Sequence, residues 1–311
     1  MAVERVTISE VALRDGLQIE RRLLSVDEKL TLAQALVDAG LTRIEATGFV
    51  HPKVVPQFAD AEEMAARLPR REGLRWAAYI PNRRGAERAV AAGIDDLKCG
   101  MAASDSFNKL NVRMSTEDGM RAIDEIAQAA EGSKSRIVGV VATAFGCPYE
   151  GEVSLQSVER LFGQMVDLGA PLIYLADTTG MADPRSVTRL VEHLLAKWPQ
   201  ARIGLHLHNT RGLGVANALA GLMAGVADFE TSIGGLGGCP FAPRAVGNTC
   251  TEDFVHMLGR MGIETGLDLD RLIHAAGVAE TLVDRSLPGM VMKAGAASAR
   301  HRPGEASVKL D

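Results

Sequence analysis

Short β-branched or apolar runs alternate with amphipathic helical stretches at intervals of about 25 to 45 residues along most of this chain, the pattern left by successive βα units. The runs predict strands over residues 6–11, 43–47, 75–80, 96–100, 137–144, 172–176, 202–208 and 228–234. Helical spacing predicts helices over 25–39, 61–68, 84–92, 116–130, 155–168, 184–197 and 212–224. Ser25, Ser154 and the pair Asp183-Pro184 supply helix starts, and Gly40, Gly93 and Gly169 supply stops. Eight units in about 235 residues match an α/β fold of the (β/α)8 TIM-barrel type, whose strands are buried on both faces and so read as apolar runs rather than strict alternation. An open dinucleotide-binding sheet would place G-x-G-x-x-G after the first strand, where Arg14-Asp15-Gly16 stands instead. Residues 251–283 read as closing helices, so that 1–290 form one catalytic domain and 291–311 a loosely held, polar C-terminal tail.

Composition supports a large core and excludes several function classes. Of 311 residues, 47% are hydrophobic and 23% charged, which rules out a disordered or coiled-coil chain. The net charge of -5 comes from interspersed acids and bases, so no basic face awaits nucleic acid. Four cysteines, without C-x-x-C spacing, are too sparse for a disulfide framework or a zinc site and fit a reducing compartment. The N-terminus shows no targeting pattern, and the apolar stretch 213–229 is too interrupted and too short for a bilayer span of roughly 20 residues. A cytoplasmic protein with no membrane partner is the expectation.

In a barrel the chemistry sits at the carboxyl ends of the strands, which directs attention to the polar residues there. His206 and His208, two apart on strand seven, point to the same side and form one edge of a divalent-metal site. Asp15 would add a carboxylate and Asn248 a carbonyl oxygen, a donor set with open positions that suits Mg²⁺ or Mn²⁺. Arg14 reads either as a surface ion pair or as a guanidinium that stabilises a developing enolate oxygen. Glu45, flanked by apolar residues, needs a partner to offset desolvation, and Arg14 is the obvious one. Asp177 reads as a helix N-cap or as an anchor and base near the metal. Cys239 follows four glycines in a run of five residues and reads as a proton donor or acceptor on a mobile loop. Cys147 and Cys99 read as structural.

Together these residues resemble the 3-hydroxy-3-methylglutaryl-CoA lyase family of metal-dependent aldol and Claisen barrel enzymes. The likeness runs from Val6 to about Ile273 and is carried by Arg14-Asp15-Gly16-Leu17-Gln18, the stretch 49–57, Gly146-Cys147-Pro148-Tyr149-Glu150-Gly151, His206-Leu207-His208 and 235–242. It implies a cation held at Asp15, His206, His208 and Asn248, with Arg14 on the enolate, Glu45 positioning and Cys239 as the loop thiol. It also implies cleavage of a 3-hydroxyacyl-CoA into acetyl-CoA and a keto acid, as in leucine degradation, by a homo-oligomer of two or more chains. Four positions depart from the family pattern: Gly48, Asn209, Arg244 and Val246. Asn209 gives His-x-His-Asn, as in the condensing synthases of the superfamily, which stand as an alternative. Arg244 offers a cation to a different substrate carboxylate, so that a citramalyl-type thioester is a further alternative.

Overall fold

Each of the eight apolar runs forms a strand: β1 (Thr7–Glu10), β2 (Arg43–Gly48), β3 (Arg75–Tyr79), β4 (Asp96–Ala102), β5 (Arg136–Ala142), β6 (Ile173–Asp177), β7 (Ile203–Leu207) and β8 (Asp228–Thr231). The structure, a computed structural model, describes residues 3–238, 247–298 and 300. Every strand pairs in parallel with the next, and β1 pairs with β8 from Thr7↔Asp228 to Glu10↔Thr231, closing the barrel. The helices that return the chain outside it are α1 (Val26–Asp38), α2 (Ala61–Arg67), α3 (Arg83–Ala91), α4 (Asp105–Asn111), α5 (Thr116–Ala130), α6 (Leu155–Asp167), α7 (Pro184–Lys197) and α8 (Gly214–Met223). After β8 come α9 (Thr251–Arg260), α10 (Leu269–Val283) and the single turn α11 (Val291–Ala294).

The helix starts follow from short polar side chains that satisfy otherwise orphaned amides. Ser25 accepts from the Glu28 amide while Glu28 reaches back to Ser25, a reciprocal capping box. Asp183 caps α7 with Pro184 in the first turn. Gly40 stops α1 at φ +98, where a Cβ would also lie 2.9 Å from the Gly266 carbonyl oxygen. Apolar faces then bury Leu32 and Leu36 of α1, Phe162 of α6 and Leu194 of α7 against the outer faces of the strands.

Some elements differ from the sequence reading. The loop after β1 winds into a π-helical turn over Ala12–Gly16, because Arg14 and Gly16 both donate to the Val11 carbonyl. α4 arises in a polar stretch with little periodicity, fixed by its Ser104 cap and by Phe107, which is buried. α11 lies within the stretch assigned to the tail, and the amides of Met290 and Val291 hold it to the Asp253 carboxylate. Among the described residues no helix is long and apolar enough to cross a membrane.

Candidate functional site

At the carboxyl end of the barrel, β7 and the turn after β1 bring Asp15, His206 and His208 together. One ligand atom from each lies within 4.8 Å of the others, and all three residues are buried. The Nε2 atoms of His206 and His208 approach to 3.1 Å, and His208 Nε2 stands 3.8 Å from Asp15 Oδ2. Strand alternation explains the pair, because residues two apart share a face. Asn248 is placed beside them by an antiparallel bridge to His208, while the Thr249 amide bonds the Leu207 carbonyl. Its Nδ2 donates to Asp15 Oδ2 at 2.8 Å and to the Leu236 carbonyl at 3.0 Å.

The donor set leaves unsatisfied atoms that a cation would complete. Asn248 Oδ1 is buried with no hydrogen-bond partner, which costs free energy unless something else fills the gap. Two imidazole nitrogens converging at 3.1 Å share at most one proton, so at least one lone pair is left facing the same point. Burial first, and His206 next, depress the His208 imidazole to about 4 against the pull of Asp15, keeping it in the neutral, ligating form. Burial raises the Asp15 carboxyl, but Arg14, His206 and His208 outweigh it and hold Asp15 well below the ordinary carboxylate range. A carboxylate, two imidazoles and an amide oxygen fit a divalent cation with open positions.

Arg14 stands beside this cluster rather than on the surface. Its Nε donates to Glu45 Oε1 at 2.6 Å, and its Nη1 donates to Asp15 Oδ1 at 2.9 Å. The guanidinium lies over the Tyr79 ring, 5.1 Å from its centroid. Glu45 Oε2 in turn accepts from Lys98 Nζ at 2.6 Å, and Lys98 bonds Glu230 Oε1 at the same distance. The other Glu230 oxygen sits 3.0 Å from His206 Nδ1. Lys98 and Glu230 were not among the residues drawn from the sequence. Their signal is the one that singled out Glu45, a charge inside an apolar strand.

Other expected residues take different places, and Asp177 adjoins the cluster through its carbonyl, which accepts the His208 amide. Asp177 caps no helix, since Asp183 caps α7. Its two oxygens accept the Met181 and Ala182 amides at 2.7 and 3.1 Å, fixing the loop after β6, and it does not line the mouth cavity. Burial, only partly offset by those amides, raises its carboxyl to about 6. Asn209 turns its Oδ1 to the Gly214 amide at 3.0 Å, which serves the start of α8 rather than the site. Gly48 packs on Phe58, whose ring would lie 3.2 Å from an added Cβ. Cys147 is buried and accepts from Ser104 Oγ at 3.0 Å, while burial pushes the Cys99 thiol up to about 12. The glycine-rich turn after β8 runs tight against the cluster: at Gly237, φ is +115 and a Cβ would fall 2.5 Å from Asn248 Nδ2. Cys239, Arg244 and Val246 lie outside the described residues.

Known proteins resemble the chain over nearly its whole length. The model of the HMGL-like family matches residues 5–278. The chain is 41% identical over 303 residues to an (R)-citramalyl-CoA lyase of Chloroflexus aurantiacus, covering 94% of this chain and 96% of that one. It is 39% identical to the hydroxymethylglutaryl-CoA lyase YngG of Bacillus subtilis, covering 92% and 95% of the two chains. Among solved structures, an HMG-CoA lyase of Acinetobacter baumannii in complex with coenzyme A and 3-methylmalate superposes with a TM-score of 0.92 at 42% identity, over 96% of this chain and 98% of that one.

Proposed function

Because the chain belongs to the HMGL-like family, and is with it a carbon–carbon lyase of CoA thioesters, we propose that it cleaves a 3-hydroxy-3-methylacyl-CoA bearing a distal carboxylate into acetyl-CoA and a keto acid, with Mg²⁺ or Mn²⁺ as cofactor. The observation that carries this reading is the buried cluster of Asp15, His206, His208 and Asn248, with its unpartnered amide oxygen, directly beside Arg14. Those four residues would hold the cation, which supplies Lewis-acid polarisation that lowers the pKa of the substrate hydroxyl. A base takes the hydroxyl proton, for which Asp177 and a histidine of the cluster are the candidates, the O–H electrons form the keto group as the C2–C3 bond breaks, and the acetyl-CoA enolate leaves to regain one proton at carbon. Arg14 faces the developing enolate oxygen with a donor geometry fixed by Glu45 and Asp15. Cys239 would protonate the enolate carbon, the role expected of a thiol at the end of the glycine-rich turn.

Hydroxymethylglutaryl-CoA, giving acetoacetate, is the first substrate to try. Citramalyl-CoA, one methylene shorter and giving pyruvate, is favoured as a second by the 41% identity to the Chloroflexus enzyme and by the hydroxy diacid bound to the Acinetobacter structure. The test offers both thioesters to purified protein with Mn²⁺, with EDTA, and with EDTA followed by excess Mn²⁺. Acetyl-CoA should appear with one thioester in preference, vanish with chelation and return with metal. His206→Ala should lower turnover by at least about 10²-fold, since removing one of so few ligands leaves a labile hard cation poorly held. Full activity in EDTA by protein free of metal would overturn the cation assignment.

A further inference from the structure

The interior layers of a barrel are ordinarily filled by branched apolar side chains drawn from alternate strands. Here β2, β4 and β8 send in Glu45, Lys98 and Glu230, all buried, and the ammonium lies 5.6 Å from the centroid of the Tyr174 ring of β6. Such a charged layer is justified for stability only weakly, because a buried ion pair often does no better than well-packed hydrophobic residues. Its position suggests another use. Lys98 and Glu230 line the cavity that also holds Arg14, Asp15, His206 and His208, and with Glu45 they line the space toward the opposite end of the barrel as well. The layer is therefore the floor of the site.

We propose that Lys98 is a positioning residue of the lyase reaction, whose single ammonium, clasped at 2.6 Å by Glu45 and by Glu230, sets the placement of Arg14 on one side and of His206 on the other. Each carboxylate has one oxygen on Lys98 and the other toward the site: Glu45 Oε1 on Arg14 Nε at 2.6 Å, Glu230 Oε2 at 3.0 Å from His206 Nδ1. Removing the ammonium leaves two buried carboxylates facing one another without a cation between them. They then move apart or draw on Arg14, and either response shifts the guanidinium relative to the metal ligands. The two ion-pair partners of the ammonium are carboxylates of the protein, each of which reaches on to the site, and the role assigned to Lys98 is exerted through them. The inference rests on the functional reading above.

The test uses the full chain with saturating Mn²⁺ and compares wild type with Lys98→Met and with Lys98→Arg. Lys98→Arg keeps the charge but replaces a compact donor by a planar fork. In both variants kcat should fall at least tenfold while KM stays within about threefold, the range typical of lost outer-shell support. Lys98→Arg should melt within a few degrees of wild type, which separates positioning from folding and decides the matter if Lys98→Met does not fold. A kcat for Lys98→Arg within threefold of wild type overturns the proposal. A wild type that cleaves neither thioester removes the functional reading instead, and calorimetric Mn²⁺ affinity then judges Lys98 alone. Tenfold weaker binding in Lys98→Arg sustains the role, and equal binding overturns it.

Discussion

Arg14 is held at three points, by Glu45, by Asp15 and by the Tyr79 ring, and that restraint is what makes its geometry matter. A group preorganised toward developing charge acts in the transition state more than in the ground state. Arg14→Lys keeps the charge but replaces a planar fork, whose Nε and Nη1 reach Glu45 and Asp15, by a compact ammonium that does not place its donors alike. Steady-state kinetics should show kcat down by about 10²- to 10³-fold with KM changed much less. A variant with near-native kcat and a much weaker KM would make Arg14 a ground-state binding group. Individual site residues were readable to differing degrees. The His206–His208 pair and the Arg14–Glu45 pair follow from spacing and desolvation alone. Lys98 and Glu230 carry the same signature as Glu45 but went unread, because a strand buried on both faces does not show which side chains point inward. Asp177 was legible only in part, since its carboxylate holds the Met181 and Ala182 amides instead of capping a helix, while its carbonyl accepts the His208 amide.

At the scale of elements, starts were more legible than ends. Caps are local and chemical, so Ser25 and Asp183 mark α1 and α7 within a residue. Strands end where ladder bonding gives way to other partners, and those lie far away in sequence. β1 ends at Glu10, whose carboxylate accepts the amides of Ala12 and Ile233 at 2.9 and 3.0 Å and the Thr251 hydroxyl at 2.7 Å, tying β1 to the turn after β8 and to α9. Burial, against the opposing effect of those donors, raises the Glu10 carboxyl from 4.5 to about 7. The sign follows from linkage: a folded state that holds the proton more tightly gains stability that is complete below pH 4.5 and is lost as pH rises through 7. The full effect is roughly 3 kcal/mol. Glu10→Gln keeps an acceptor for the two amides and cannot ionise. Calorimetric Tm values should therefore fall more steeply between pH 5 and 8 in wild type than in Glu10→Gln. Parallel curves would show that Glu10 stays ionised throughout.

The molecule as a whole divides its labour between the two ends of the barrel. The order of strands was legible, because eight consecutive βα units leave parallel neighbours and a right-handed return as the natural arrangement. What fastens the closure was not, since it depends on partners brought together from opposite ends of the chain. Asp228, the first residue of β8, is buried and accepts Arg43 Nη1 of β2 at 2.8 Å and Arg202 Nε at 2.6 Å, so one carboxylate spans the seam where β8 meets β1. Asp96 of β4 does the same for Arg75 and Arg136 on its two flanking strands. These pairs lie at the amino ends of the strands, where a barrel keeps stability rather than chemistry. Asp228→Ala strips two guanidiniums of their shared partner, but both reach solvent in part, which places the loss near the lower end of the range for breaking buried pairs, about 3 kcal/mol. For a chain of this size that corresponds to a fall in Tm of roughly 5 °C. Thioester cleavage measured at 25 °C should stay within about twofold of wild type, because nothing at the metal cluster touches Asp228. A large loss of kcat in well-folded Asp228→Ala would show that the floor of charged side chains transmits strain from one end of the barrel to the other.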